Sequence, residues 1–192
     1  MYPFIRFVKE MVRYRNAPAL GVCDTHVSHH RCWPWDLDPW MELNNGRTLT
    51  LYDLGRIPMA MRTGLIDVLR AQGWGITVAG NSTRYRRRVR AFQRFELRSR
   101  CIGWDNRFLY TEQGMWIGDE CANHILIRSA ITSTSGIVPP AQVMRAMALP
   151  EESPALPEWV RAWISADAAR VWPPVLQQSN QSQIERWDNS NT

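Results

Sequence analysis

No run of about 18 or more apolar residues occurs in this 192-residue chain, so no helix of membrane-spanning length and hydropathy is expected. Lysine is nearly missing: Lys9 stands alone among 23 Lys and Arg residues. Arginine suits bidentate contacts to phosphate, although a bias this general can also reflect codon usage. The four cysteines, Cys23, Cys32, Cys101 and Cys121, form no CxxC pair. The N-terminus lacks a long apolar stretch followed by a cleavage site, so it does not read as a signal peptide. The thiols are therefore expected to be reduced and the protein cytosolic. His26, His29 and His30 have no acidic or cysteine partner spaced to complete a tetrahedral set, so no metal is expected. No internal repeat is visible.

What is present favours one domain. The chain is 45% hydrophobic and holds ten Trp, enough for a substantial core and large buried surfaces or a sizeable interface. The net charge of +5 is local: eight arginines from Arg84 to Arg100, against Glu96 alone, give that segment +7 and leave −2 elsewhere. On a helix over the first residues, Phe4, Phe7, Val8, Met11 and Val12 share one face, with Arg6, Lys9, Arg13 and Arg15 largely elsewhere. Such a helix either docks on its own domain or a partner subunit, or lies on an anionic lipid surface.

Weak alternation over Cys23–Cys32 predicts a first strand, ended by Pro34 and Pro39. A helix starts near Leu43–Asn45, capped by Asn44 or Asn45, and runs through Met59, with Pro58 as a bend or early end. A short helix follows over Leu65–Ala71, stopping at Gly73. Four strands come next: Gly75–Tyr85; Arg94–Cys101, where Phe95, Leu97, Ser99 and Cys101 alternate with charges; Arg107–Ile117 after a Gly103-Trp104-Asp105-Asn106 turn; and Ala122–Thr132. After Gly136 the character turns helical, over Pro139–Met147 and Pro157–Val171. This order is α+β, a long helix burying its apolar face against a curved antiparallel sheet. The expected organisation is an N-terminal basic amphipathic helix over 1–21, the main domain over 22–135, a C-terminal helical extension over 136–176, and a tail without fixed structure over 177–192.

The chemistry concentrates in Asp36–Arg47, DLDPWMELNNGR. Asp38 sits in a Pro-bounded loop a few residues before a capped helix. Thioester hydrolysis needs a carboxylate to attack the carbonyl or activate water. It also needs an N–H aimed at the developing oxyanion, which a helix N-terminus supplies. An Asp/Asn-rich loop that merely caps a helix has the same spacing.

The run DLDPWMELNNGRTLTLYDLGR resembles the signature of the 4-hydroxybenzoyl-CoA thioesterase-like hotdog family, D-x-D-x-x-x-H-x-N-N-x-x-Y. RYRRRVRAFQRFELRSRCIGWDNRFLYTEQ is similar to that family's next strands, particularly its thioesterase superfamily member six-like branch. The likeness covers about Cys23 to Thr132. It implies a hotdog fold, paired subunits as homodimers or tetramers, and a hydrolase cleaving an acyl-CoA to the free acid and coenzyme A. No cofactor is implied, since coenzyme A enters as part of the substrate. Asp38 matches the family's nucleophile or general base, the Asn45 amide its carbonyl-polarising donor, and Asn44 an orienting residue. Two positions depart: Glu42 stands where many relatives have His, and Thr48 where many have an aromatic. A second carboxylate near Asp38 alters acid/base roles, or marks drift from catalysis to a non-catalytic acyl-CoA, lipid or protein-binding module. Hydratases of this fold place a His five residues after the Asp, where this chain has Leu43.

Arg86, Arg87 and Arg88 either face solvent at a strand–loop–strand edge or bind the phosphates of coenzyme A, with Tyr85 stacking on adenine. Nucleic-acid binding is not expected, because Phe95 alternates with the arginines and so faces the core. Glu112 is read as a second acid or a satisfied structural residue, and His124 as a packed strand histidine.

Overall fold

The computed structural model describes residues 2–174, so the tail expected over 177–192 lies outside the described residues. Helix α1 (Phe4–Tyr14) precedes strand β1 (His26–Arg31), a one-turn 3-10 helix (Pro34–Asp36), and helices α2 (Asn45–Arg62) and α3 (Leu65–Gln72). Strands β2 (Gly75–Tyr85), β3 (Arg94–Trp104), β4 (Leu109–Ile117), β5 (Glu120–Ser133) and β6 (Gly136–Val138) follow, then α4 (Pro140–Ala146) and α5 (Glu158–Ala168). The strands form one antiparallel sheet in the order β1-β3-β4-β5-β2, and β6 also pairs with β5. None of the described helices is long and apolar enough to cross a membrane.

The period-2 pattern of β3 does what it predicts. Phe95 and Leu97 are buried with Leu51, Tyr52 and Leu54 of α2, Met115 of β4, and Ile125 and Ile127 of β5. Each large apolar side chain removed from water contributes roughly 1.5–3 kcal/mol. The helix approaches the sheet closely at Gly55, where an added Cβ would meet the Ser99 hydroxyl at 2.6 Å. A long helix embraced by a curled antiparallel sheet is the hotdog arrangement, in the α+β class expected. α2 continues through Pro58 to Arg62. α3 ends at Gly73, whose φ of 65° favours glycine.

Three expectations change. β1 begins at His26, not Cys23, because the Asp24 carboxylate accepts the Gly21 amide at 2.8 Å and holds the preceding residues in a turn. The segment after Gly136 is not helical from its start. β4 pairs β5 only as far as Leu109–Ser129, and β6 continues alongside β5, with Val138 opposite Ile131. Val138 there is buried with Val143 and Met144 of α4 in a second apolar cluster. One compact unit extends to Ala155, and α5 lies in a separate unit beginning at Leu156. Finally, α1 docks through a different face. Phe7 packs against the core, Arg6 pairs with Asp36, Glu10 is buried, and the Tyr14 hydroxyl donates to Val27 O at 3.1 Å. Phe4, Val8 and Val12 stay exposed. Helical spacing identifies which residues share a side of α1, but not which side tertiary contacts cover.

Candidate active site

The Asp38 loop is a small closed hairpin. Asp38 N–H donates to Glu42 O at 2.8 Å, Leu37 and Leu43 form a β-bridge, and Asn44 N–H donates to Asp36 O at 2.9 Å. Asp38 Oδ1 accepts the amides of Trp40 (2.9 Å) and Glu42 (3.3 Å). Oδ2 has no hydrogen-bond partner among the described residues. Met41, at the tip, adopts φ 61°.

α2 begins where the loop closes. Asn44 is its N-cap, accepting the Arg47 amide on Oδ1 at 3.0 Å. The Gly46 amide goes to the Asn45 side chain at 2.7 Å, and the Thr48 amide to Asn44 O at 2.9 Å. As the first helical residue, Asn45 has an N–H with no intrahelical acceptor. It thus offers a donor at the positive end of the helix dipole.

The arginine turn is tied to this loop by backbone. Leu43 N–H donates to Val89 O at 2.8 Å, and the amides of Arg86 and Arg87 both donate to Ala122 O at 2.9 Å. The Tyr85 hydroxyl lies 3.4 Å from Asn45 O. As a result Asp38, Glu42, Asn44, Asn45, Tyr85, Arg86, Arg87 and Arg88 all line one cleft of about 500 Å³. The three arginines differ. Arg88 Nε lies 2.9 Å from Glu42 Oε2, offsetting that carboxylate, and Arg87 pairs with Glu120. Arg86 has no carboxylate partner among the described residues. The segment is a strand–loop–strand, and Arg94, Arg98 and Arg100 on β3 are exposed.

Asp36, the first carboxylate of the motif, is not in this cleft. It is fully buried, 2.5 Å from Arg6 Nη2 and 2.8 Å from Arg47 Nε, and Oδ2 accepts the Trp33 amide at 3.0 Å. Its role is to fasten α1, α2 and the loop together.

Sequence reasoning missed Asn123. It lines the same cleft, and its Oδ1 lies 2.6 Å from the buried Tyr52 hydroxyl. The available signal was a polar residue two positions before Ile125 in an inward-facing apolar series. Glu112 is the opposite case. Of its two readings, the satisfied structural residue holds and the second acid does not: its Oε1 lies 2.9 Å from His124 Nε2, and Arg100 holds Oε2 at 2.7 Å. The hydrogen bond to His124 comes first, and with Arg100 it outweighs burial and draws the carboxyl down to about 2. Because β4 side chains alternate, Glu112 lies on the opposite face from Gln113, which bonds to Tyr52 O of α2.

Residues 32–164 match the thioesterase-like superfamily. Protein THEM6 of Xenopus laevis is 34% identical over 165 residues, covering 84% of this chain and 78% of that protein. Protein THEM6 of Drosophila melanogaster is 24% identical over 147 residues, covering 76% of this chain and 75% of that protein. The YbaW probable thioesterase of Escherichia coli superimposes with a TM-score of 0.60 at 13% identity, over 64% of this chain and 96% of that one. The DHNA-CoA thioesterase of Staphylococcus aureus does so at 0.55 and 12% identity, over 75% and 91%. These likenesses in structure carry the fold; the sequence match over most of the chain carries the family, and this protein belongs to the thioesterase-like superfamily.

Proposed function

We propose that this protein hydrolyses an acyl-CoA thioester to the free acid and coenzyme A. The observation that supports this reading is the joint lining of one cleft by Asp38, the start of α2 and the Arg86–Arg88 turn. Asp38 attacks the carbonyl carbon or takes a proton from the attacking water. The Asn45 N–H receives the charge developing on the carbonyl oxygen, at no reorganisation cost. Arg86 meets a phosphate of coenzyme A, with Arg87, Arg88 and Tyr85 beside it. Water is the only co-reactant, so no cofactor takes part. The assembly is a homodimer or a pair of dimers. β2 ends the sheet as an 11-residue strand, and Ile76, Val78 and Tyr85 on it are about half exposed, a template for pairing with a second copy.

A second reading, a non-catalytic acyl-CoA-binding module, draws on Glu42 and Thr48. Glu42 is held by Arg88, and the Thr48 hydroxyl is satisfied by Asn44 O at 3.1 Å, so neither presents the group its counterpart in many relatives would.

The deciding assay is free-thiol release from short, long and aromatic acyl-CoAs, with wild type beside Asp38→Asn. Asparagine keeps the Oδ1 that accepts two loop amides, so the variant separates chemistry from loop structure. Hydrolysis by the wild type, reduced about 10²–10⁴-fold in Asp38→Asn, supports the enzyme. Tight acyl-CoA binding with no turnover across the panel supports the module.

A further inference from the structure

At 3.6 residues per turn, Phe4, Ile5, Val8, Met11 and Val12 fall within an arc of about 120° on α1. The arc of Arg6, Phe7, Glu10 and Tyr14 lies nearly opposite. The second arc is the docked one, and its anchors fix the rotation of the helix. Arg6 pairs with the buried Asp36, Phe7 packs on the core, and the Tyr14 ring sits edge-on against His26 at 4.5 Å. At the N-terminal end the Tyr2 hydroxyl bonds Asp53 at 3.2 Å. The aliphatic stripe therefore points away from the protein: Phe4 is 65% exposed, Ile5 89%, Val8 56% and Val12 68%. This inverts the usual arrangement, in which a surface helix buries its apolar side.

We propose that this stripe lies on an anionic lipid surface. Charge decides between a bilayer and a second copy of the chain. Lys9, exposed, borders the stripe beside Ile5, and the exposed Arg13 lies further round the same flank. Two copies meeting stripe to stripe in an antiparallel pair would set these like charges on the same flank, whereas anionic headgroups neutralise them. Aromatic rings extend the patch. Tyr2 lies 5.0 Å from Phe4 and shares a shallow cleft with Trp35, which is exposed and stacks on Trp33 at 5.3 Å. Tyr and Trp suit the headgroup level, where one end of the ring is wet and the other apolar.

The test is flotation of the full chain with vesicles of phosphatidylcholine alone and with roughly one third phosphatidylserine. The wild type floats with the phosphatidylserine vesicles only, and salt at about 0.5 M releases it. Val8→Asp/Val12→Asp weakens partitioning by about tenfold or more with unchanged thermal unfolding. Lys9→Glu/Arg13→Glu, which leaves every apolar side chain in place, weakens it as well. The proposal is overturned if the wild type stays soluble with both vesicles, or if neither double variant changes flotation. It is equally overturned if Val8→Asp/Val12→Asp lowers the vesicle-free mass by light scattering, which would mark a contact between copies.

Discussion

The amide of Asn44 donates to the carbonyl of Asp36 at 2.9 Å, and the residues between them carry Asp38. One backbone bond thus joins the residue that bears a buried carboxylate to the cap of the central helix. Asp36 is fixed by Arg6 from α1 and Arg47 from α2, so it sets the position of the loop without entering the cleft.

Removing that carboxylate leaves two arginines facing a buried void. Asp36→Ala is expected to destabilise the fold by about 3–5 kcal/mol, read as a lower urea midpoint. A loss below about 1 kcal/mol would show that the buried ion pairs do not hold the loop.

Arg86 differs from Arg87 and Arg88 in having, among the described residues, no carboxylate to compete with a ligand phosphate. Arg86→Glu should raise KM for acyl-CoA about tenfold, with kcat near wild type and the effect shrinking at high salt. Arg87→Ala, which also frees Glu120, should change KM less. Steady-state kinetics at two salt concentrations check the order.

A side chain at Gly55 would collide with the Ser99 hydroxyl, which Gln113 Nε2 holds at 2.7 Å. Gly55→Ala improves helix propensity yet forces α2 off β3, and it should cost about 1–3 kcal/mol. Equal or higher stability in chemical denaturation would mean the helix has slack to shift.

One buried and one half-buried histidine, His26 and His30, set the acid side of the stability profile. Burial first, then the Arg62 charge, pushes His26 down to about 4; its Nδ1 lies 3.0 Å from Arg62 Nη1. Burial first, then Arg6, Arg13, His29 and His26, pushes His30 down to about 3. Both folded pKa values lie below the ordinary histidine value of about 6.5. The unfolded chain therefore takes up protons that the folded chain refuses, and stability present above about pH 6.5 falls as pH drops through 4. Glu112, held at about 2, adds a loss below the ordinary glutamate range. Urea midpoints from about pH 7 to about pH 4 check this, and His26→Asn should flatten the slope.

Much of this was legible because the signals are local. The charged–apolar alternation over Arg94–Cys101 can be satisfied only by a strand with one face in the core, and β3 places Phe95 and Leu97 there. Asn44 caps α2 because an Asn three residues before an amide needing an acceptor is a local solution. β6 was not legible: three residues carry no period, and its strand exists because β5 extends beyond β4. Asn123 was missed, and Glu112 left open between two roles, for the same reason. A strand residue's face follows from pairing register, and bulges at Cys101/Gly103 and Met115/Trp116 shift it.

The sequence by itself determined the α+β class, the hotdog family, and the loop-then-capped-helix in which Asp38 and Asn45 stand, since these rest on periodicity, turn residues and contiguous motif. Only the tertiary structure decided that Asp36 is a buried fastener, that Arg87 and Arg88 are engaged by carboxylates, and that α1 turns its apolar stripe outward. Each depends on contacts between residues distant in the chain, with burial and ion pairing fixed by which surfaces meet.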